Sequence, residues 1–352
     1  MPSHGFGGLN HDALPVQARG AYVLVRLADI PRAHREYAMV KISRNTAYGL
    51  MGLAAIMWAT SGTFTELALG EGAAVMEVTV FSVIVSAIIL LPLIAVLDRK
   101  SLKIKREDFL PLLGFSLVTG TFFSLAWYYC VEMTSVATAV ILLYLYPSIV
   151  TIASVFVLRE RLTPQKALAL PLTFVGCVLV AGAQEFEEGF SFDMVGIALG
   201  IYAAMGASVY YLWGKKFLDK YSSNTVILYM TVLSIPGLVI LGNPFELVKT
   251  SLSSSAWLYV FALGFFPGTV GFVVSMVALN HIEASKASIV ASIEPVAAVL
   301  IAFMVLSQVL NTLQALGVAL VFGGVILLRL TLKRKASAVK SIYRPEQSPP
   351  TT

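Results

Sequence analysis

Residues 74–97 read AVMEVTVFSVIVSAIILLPLIAVL, and the chain then turns at once to Asp98-Arg-Lys-Ser-Leu-Lys-Ile-Lys-Arg106. The first stretch holds one charged residue, Glu77, near its start. A bilayer core about 30 Å thick needs roughly 20 apolar residues to be crossed by a helix. Inside lipid every backbone polar group must be bonded within the segment, so the run is a membrane-spanning helix and its basic sequel is a loop in water.

Working outward, the same alternation fills the chain. The apolar runs are 46–67, 74–97, 109–131, 134–158, 165–183, 193–214, 224–242, 256–280, 284–306 and 312–331. Of the 352 residues 57% are hydrophobic and 13% charged. A soluble domain carries about 25% charged residues, so lipid is the solvent this composition fits. Charge checks the count independently, because Lys and Arg favour cytoplasmic loops. Loops after even-numbered runs hold twelve basic residues, from Arg99, Lys100, Lys103, Lys105 and Arg106 through Arg159, Arg161 and Lys166 to Lys215, Lys216, Lys220 and Lys286. Loops after odd-numbered runs hold Lys249 alone, with Glu71, Glu185, Glu187, Glu188 and Asp193 on that side. The expectation is ten transmembrane helices in the plasma membrane with both termini in the cytoplasm. The net charge of +5 is then an orientation signal and not a nucleic-acid footprint.

Residues 1–45 contain Pro2, Pro15 and Pro31 with scattered charges and no apolar core of a signal peptide. They read as a disordered cytoplasmic tail, and Met39 is an alternative start. Residues 332–352, rich in Ser and Pro toward the end, read as a second disordered tail.

Pro147 and Pro295 lie 148 residues apart. At that offset residues 136–181 align without a gap on 284–329, matching Ala139 with Ala287, Leu158 with Leu306, Leu162 with Leu310, Phe174 with Phe322 and Gly176 with Gly324. The two units are 46–183 and 193–331. Five spans per unit is an odd number, so the second unit enters the membrane from the opposite side. Inverted repeats recur in secondary transporters, with the substrate site near the midplane between them.

Several stretches carry a family likeness. They are Leu50-Met-Gly-Leu-Ala-Ala-Ile-Met-Trp58-Ala-Thr-Ser-Gly62, Ala126-Trp-Tyr-Tyr-Cys-Val-Glu-Met-Thr134-Ser-Val-Ala-Thr-Ala139, and Pro147 followed by Leu158-Arg-Glu160-Arg-Leu-Thr163. The second half adds Ala278-Leu-Asn-His-Ile-Glu-Ala-Ser-Lys286-Ala-Ser and Glu294-Pro295. Together the chain resembles the EamA-type members of the drug/metabolite transporter superfamily over residues 46–331. The resemblance implies two inverted five-helix repeats and transport of small metabolites, frequently export of amino acids. One departure stands out: the family's acid closing the fourth span is Glu160 in the first half, but Gln308 occupies the matching place in the second.

Glu294 is the leading site candidate. An ionisable residue at the centre of a span costs about 2.5–3.5 kcal/mol on insertion scales and tends to face a cavity. Pro295 lacks an N–H, which leaves the Ala291 carbonyl free beside the carboxylate. Pro147 frees the Leu143 carbonyl likewise, with Tyr146 in the place of the acid. Trp58, Tyr144, Tyr146 and Tyr202 lie deep in their runs, and a buried Tyr hydroxyl needs a partner. These five residues are the expected solute site, for a solute with one cationic and one apolar or aromatic end. The competing reading is a neutral or internally paired Glu294 that shapes a kink, with the aromatics as packing. Trp127 to Tyr129 and Tyr210 to Trp213 read as interfacial belt residues, and Lys286 as a snorkelling anchor. Pro147, Pro295 and Pro267 are the expected helix kinks.

Cys130 and Cys177 sit within apolar runs and read as buried small hydrophobes. No nucleotide-binding, zinc-protease or nucleophile-elbow motif is present, so neither cofactor nor metal is expected. Partners are a small-molecule substrate, a coupling proton or cation, membrane lipid and a second copy in a homodimer. The leading function is secondary transport of a small metabolite by alternating access. The alternatives are an intramembrane enzyme acting on a lipid or isoprenoid substrate and a non-transporting membrane subunit.

Overall fold

The computed structural model describes residues 42–182, 193–242, 247, 251–306 and 311–342. Residues 1–41 of the expected N-terminal tail, Gln308, Lys249 and the acidic residues Glu185, Glu187 and Glu188 lie outside them. The described chain is all helical. We label its helical runs α1 (Arg44–Gly70), α2 (Val75–Leu97), α3 (Arg106–Met133), α4 (Val136–Val157), α5 (Pro164–Ala181), α6 (Met194–Leu218), α7 (Ser223–Leu241), α8 (Ser254–His281), α9 (Ala284–Ala291, then Glu294–Leu306) and α10 (Thr312–Ile342).

Among the described residues eight helices, α2 to α9, are long and apolar enough to cross a membrane. Helix α1 has the length, at 27 residues, but is less apolar because Thr60-Ser-Gly-Thr63 and Thr65 occupy its second half. The apolar part of α10 described here is shorter, Thr312–Leu328. Its helix continues to Ile342, past the boundary at 331 set by the apolar run. Hydropathy marks where lipid solvation ends, whereas Lys, Arg and Ala keep their helix propensity beyond it. Large apolar side chains face outward, among them Val96 at 81% and Phe156 at 80% exposure, as a lipid-solvated surface requires.

Side chains cap most of the N-termini. Ser43, Ser135, Thr163, Asp193, Ser222 and Ser253 each accept from a backbone N–H three residues on, which satisfies donors that helix geometry leaves orphaned. Glu283, ahead of α9, makes no such bond through its own side chain.

The 148-residue register seen in sequence is repeated in the backbone. Helix α4 breaks at Tyr144–Leu145 and resumes at Tyr146-Pro147. Helix α9 breaks at Ser292–Ile293 and resumes at Glu294-Pro295. The prolines thus sit at the start of new helical segments, where a missing N–H is tolerated. Pro267 lies in a π-helical turn, Phe266–Gly271, and α3 carries a matching π turn at Leu117–Phe122 without any proline. Such turns are single-turn irregularities often found at functional sites.

Packing crosses between the halves. Helix α1 packs on α8 and α9, while α6 packs on α3 and α4. Helix α2 packs on α7, and α5 on α10. Each contact of one half has its counterpart in the other. The α5–α10 pair approaches most closely at glycine. A Cβ added at Gly317 would stand 2.6 Å from the Gly176 carbonyl oxygen, and one at Gly324 would stand 2.7 Å from Thr173 Cγ2. Small residues let backbones close up in lipid, where packing and not water exclusion drives association.

Candidate functional site

The two helix breaks face one another across the bundle, and the candidate site is built between them. Glu294 opens the second segment of α9, about 15 Å along the axis from Ala284 at a rise of about 1.5 Å per residue. Tyr144 and Tyr146 flank the break in α4. The Tyr144 hydroxyl lies within hydrogen-bonding reach of the Glu294 carboxylate. Tyr146, Tyr211 of α6 and Cys177 of α5 also neighbour that carboxylate. Three helices therefore converge on the acid that a fourth, α9, carries.

An aromatic chain extends from it. Tyr144 and Tyr146 have ring centroids 5.7 Å apart, and Tyr146 stacks on Tyr211 at 5.5 Å and 3°. Tyr211 meets Tyr210 edge to face at 5.2 Å, and Tyr210 meets Trp58 at 6.3 Å. Phe272 closes the far end against Trp58 and Tyr210. The hydroxyls are partly satisfied: Tyr210 shares a 2.6 Å bond with Ser275 Oγ, and Tyr146 donates to the Ser288 carbonyl at 3.5 Å. Trp58 Nε1 and Ser292 Oγ are buried without a hydrogen-bond partner among the described residues. Gly271 makes room for Trp58, since a Cβ there would come within 2.9 Å of the indole.

Of the five residues expected from sequence, the structure brings Glu294, Tyr144, Tyr146 and Trp58 into this assembly. Tyr202 stands apart, partly exposed on α6 and outside the ring contacts that join the others. The belt reading of Tyr210 and Tyr211 is corrected: at 5% and 3% exposure they lie in the interior. Trp213 is exposed at 43%, as a belt residue is. A readable signal existed in α6, where Gly200, Ala204, Ser208 and Tyr211 recur at the i, i+4 and i+3 spacing of one packing face.

A second polar assembly occupies the end of the bundle that carries Arg44, Lys215 and Lys286. Helix α4 ends at Val157 and Leu158 leads into a left-handed turn, with Arg159 at φ 56° and the Glu160 N–H bonded back to the Ser154 carbonyl at 3.0 Å. Glycine usually fills that conformation, because a Cβ there costs about 1–2 kcal/mol. The turn delivers Glu160 to the start of α9. Its carboxylate accepts from Ala284 N at 2.7 Å, from Ser285 N at 3.3 Å and from Ser285 Oγ. It is also paired with Lys166 Nζ at 3.1 Å. The cap that Glu283 does not give α9 thus comes from the other half of the chain, 124 residues away.

Lys166 is 1% exposed and bonds Glu283 as well, at 2.8 Å, and Glu283 in turn pairs with Lys286 at 2.8 Å. Lys286 is therefore an ion-pair partner as well as a helix-end cation. Burial pushes the Glu283 carboxyl upward, but Lys166 and Lys286 outweigh it and hold it below the usual carboxylate range. Lys215 donates to the carbonyls of Leu279, Asn280 and Ile282, which satisfies the C-terminal end of α8. A cavity of about 360 Å³ lies here, lined by Arg44, Glu160, Lys215, Asp219, Glu283 and Lys286 among others. Removing one partner of a buried ion pair costs about 3–5 kcal/mol, whereas an exposed pair is worth about 1 kcal/mol or less. The Lys220–Asp108 pair at 2.8 Å, which also joins the halves, is of the exposed kind on its lysine side. Among the described residues no three His, Cys, Asp or Glu side chains gather to hold a metal ion.

Comparison with known proteins agrees with this architecture. The model of the EamA-like transporter family matches residues 45–182 and again 194–330. The chain is 26% identical over 294 residues to the uncharacterized inner membrane transporter YicL of Salmonella typhimurium, covering 81% of this chain and 96% of that one. It is 27% identical over 158 residues to a protein of Rickettsia bellii named as an S-adenosylmethionine uptake transporter, covering 45% of this chain and 52% of that one. A solved crystal structure superposes with a TM-score of 0.72 at 18% identity, over 83% of this chain and 99% of that one, which shows a shared fold. With two family matches in register with its two broken helices, the chain belongs to the EamA-like transporter family and is a multi-pass membrane protein.

Proposed function

We propose that this protein is a secondary transporter that moves a small amphiphilic solute, an amino acid or a relative of one, outward across the cell membrane by alternating access. The single observation that carries this is the convergence of Glu294 with Tyr144, Tyr146 and Tyr211 where two matched helix breaks meet. A carboxylate supplies the counter-charge for an ammonium or sulfonium group, and aromatic faces attract the same cation by about 0.5–2 kcal/mol. The relative named for S-adenosylmethionine takes a solute with such a centre, and that name supports the chemical class. The export direction follows from the family resemblance and not from this relative, whose name denotes uptake.

The repeat is read as inverted, with ten membrane crossings and both termini on the cytoplasmic side. The alternation of basic loops and the exchange-symmetric packing of α1 on α8 and α9, and of α6 on α3 and α4, support it. Two near-equal halves can then trade shapes, opening first one face and then the other.

Counterflow of labelled amino acids and S-adenosylmethionine in proteoliposomes tests the proposal. Glu294→Ala should abolish counterflow and Glu294→Gln should reduce it by about tenfold or more, the effect of losing one buried charge contact worth about 1.4 kcal/mol or more. Full counterflow by both variants would remove Glu294 from the site. An absence of counterflow for every cationic or zwitterionic solute in the parent protein would favour a non-transporting membrane subunit.

A further inference from the structure

We propose that Glu160 is a positioning residue for the transport site: it latches the first segment of α9 in place, and its release opens the face of the protein that carries the basic loops. The proposal rests on the transporter reading above.

Three observations lead to it. The latch joins the halves, since Glu160 and Lys166 belong to the first family match and Ala284, Ser285 and Glu283 to the second. It holds the helix segment whose other end presents Glu294, because Ala284–Ala291 is eight residues long and the chain breaks immediately after it. A shift at Glu160 is therefore passed as a rigid-body movement of two helical turns to the break. The position is also held at a backbone cost, since Arg159 takes a left-handed conformation to aim the carboxylate. Strain of this kind persists where the surroundings over-determine it and clusters at switch regions.

The chemistry suits a latch that can open. Ala284 N, Ser285 N, Ser285 Oγ and Lys166 Nζ all donate to one carboxylate. If α9 moves away, Lys166 and Glu160 stay together on the α4–α5 side, and the start of α9 is left to water. The cavity of about 360 Å³ beside the latch is lined from α1, α4, α6, α8 and α9, so water is at hand to solvate both faces. Neither half has to bury a bare charge when they part.

A buried reporter one turn below the latch tests this without any substrate. Ser288 is fully buried and bonds the Ser285 carbonyl. A Ser288→Cys protein in inside-out vesicles is treated with a membrane-impermeant maleimide, with the protein lacking that substitution as the background. Glu160→Gln should raise the labelling rate of Ser288→Cys by about tenfold, as a tenfold larger open population gives. An unchanged rate in protein with unaltered elution and unfolding temperature overturns the proposal. A second variant guards against misfolding of the first. Glu160→Cys with Ser285→Cys, oxidised to a disulfide, should slow labelling at position 288 below the parent and recover on reduction. Labelling that ignores oxidation overturns the proposal equally. Solute counterflow measured on the same oxidised protein separates the two readings. A latch that controls labelling in a protein that moves no solute leaves the latch standing and removes the transporter reading, whereas counterflow through the cross-linked protein removes the latch alone.

Discussion

Glu283 shows how one side chain reports on its surroundings. It is half-exposed, yet Lys166 and Lys286 hold its carboxyl below the ordinary range, with Glu160 sharing the same lysine. A carboxyl whose folded pKa lies below its unfolded value, near 4.3, contributes stability at pH above that value. The contribution is lost as pH falls through the folded pKa. The thermal stability of the purified protein should therefore fall on acidification below about pH 4.3, and Glu283→Gln should flatten that fall while lowering stability at neutral pH. Parallel curves for the two proteins in scanning fluorimetry would show that the ion pairs do not stabilise the fold. At this scale the sequence was half legible. Glu294 could be picked out because a carboxylate in the middle of an apolar run is expensive wherever it points. Tyr210, Tyr211 and Cys177 were hidden, because an aromatic or a thiol is at ease in lipid, at an interface or in a core, and position along the run does not separate these. Glu160 was visible as a family feature, but its partners lie 124 and 125 residues on, and nothing local announces them.

Single helices carry their own consequences. The α5–α10 pair depends on Gly176, Gly317 and Gly324, where each glycine faces backbone or a branched side chain of the other helix. Gly317→Ala should destabilise the protein by about 1–3 kcal/mol, as overpacking does, since the nearest atom is a carbonyl that cannot swing aside. Gly323→Ala, six residues on, meets nothing within 4 Å and should be neutral or stabilising by up to about 1 kcal/mol from helix propensity. Thermal unfolding in detergent separates them, and equal behaviour of the two variants would mean that the close approach is not a stabilising contact. The apolar runs located these elements well because lipid imposes length and hydropathy together. The π turn in α3 escaped, since it contains no proline to mark it, whereas Pro267 marks the one in α8.

The whole molecule is woven across its repeats. Helix α1 finds its main partners in α8 and α9, and α6 finds its own in α3 and α4. Neither half then holds a complete core of its own. Fragments 1–187 and 188–352, expressed singly, should be degraded or aggregate, and expressed together should assemble and regain labelling protection at position 288. A stable, monodisperse single half would show that the cross-repeat packing is not required for folding. The repeat itself was readable from Pro147 and Pro295, because the same helix break was kept at both places. How the halves interlock was not, since helix-to-helix pairing in lipid rests on fine shape and not on a hydropathy pattern.

The modest apolarity of α1 has a consequence for biogenesis. Its polar second half, with Thr60, Ser61, Thr63 and Thr65, is the part a membrane would least welcome. The chains that shield it, α8 and α9, are more than 180 residues further along and leave the ribosome long afterward. Helix α1 is thus fully enclosed only once α8 and α9 have been made, so the nascent protein must hold an incompletely sheltered segment over that interval. Truncation before α8 is complete would leave α1 exposed to quality control although α1 itself is intact.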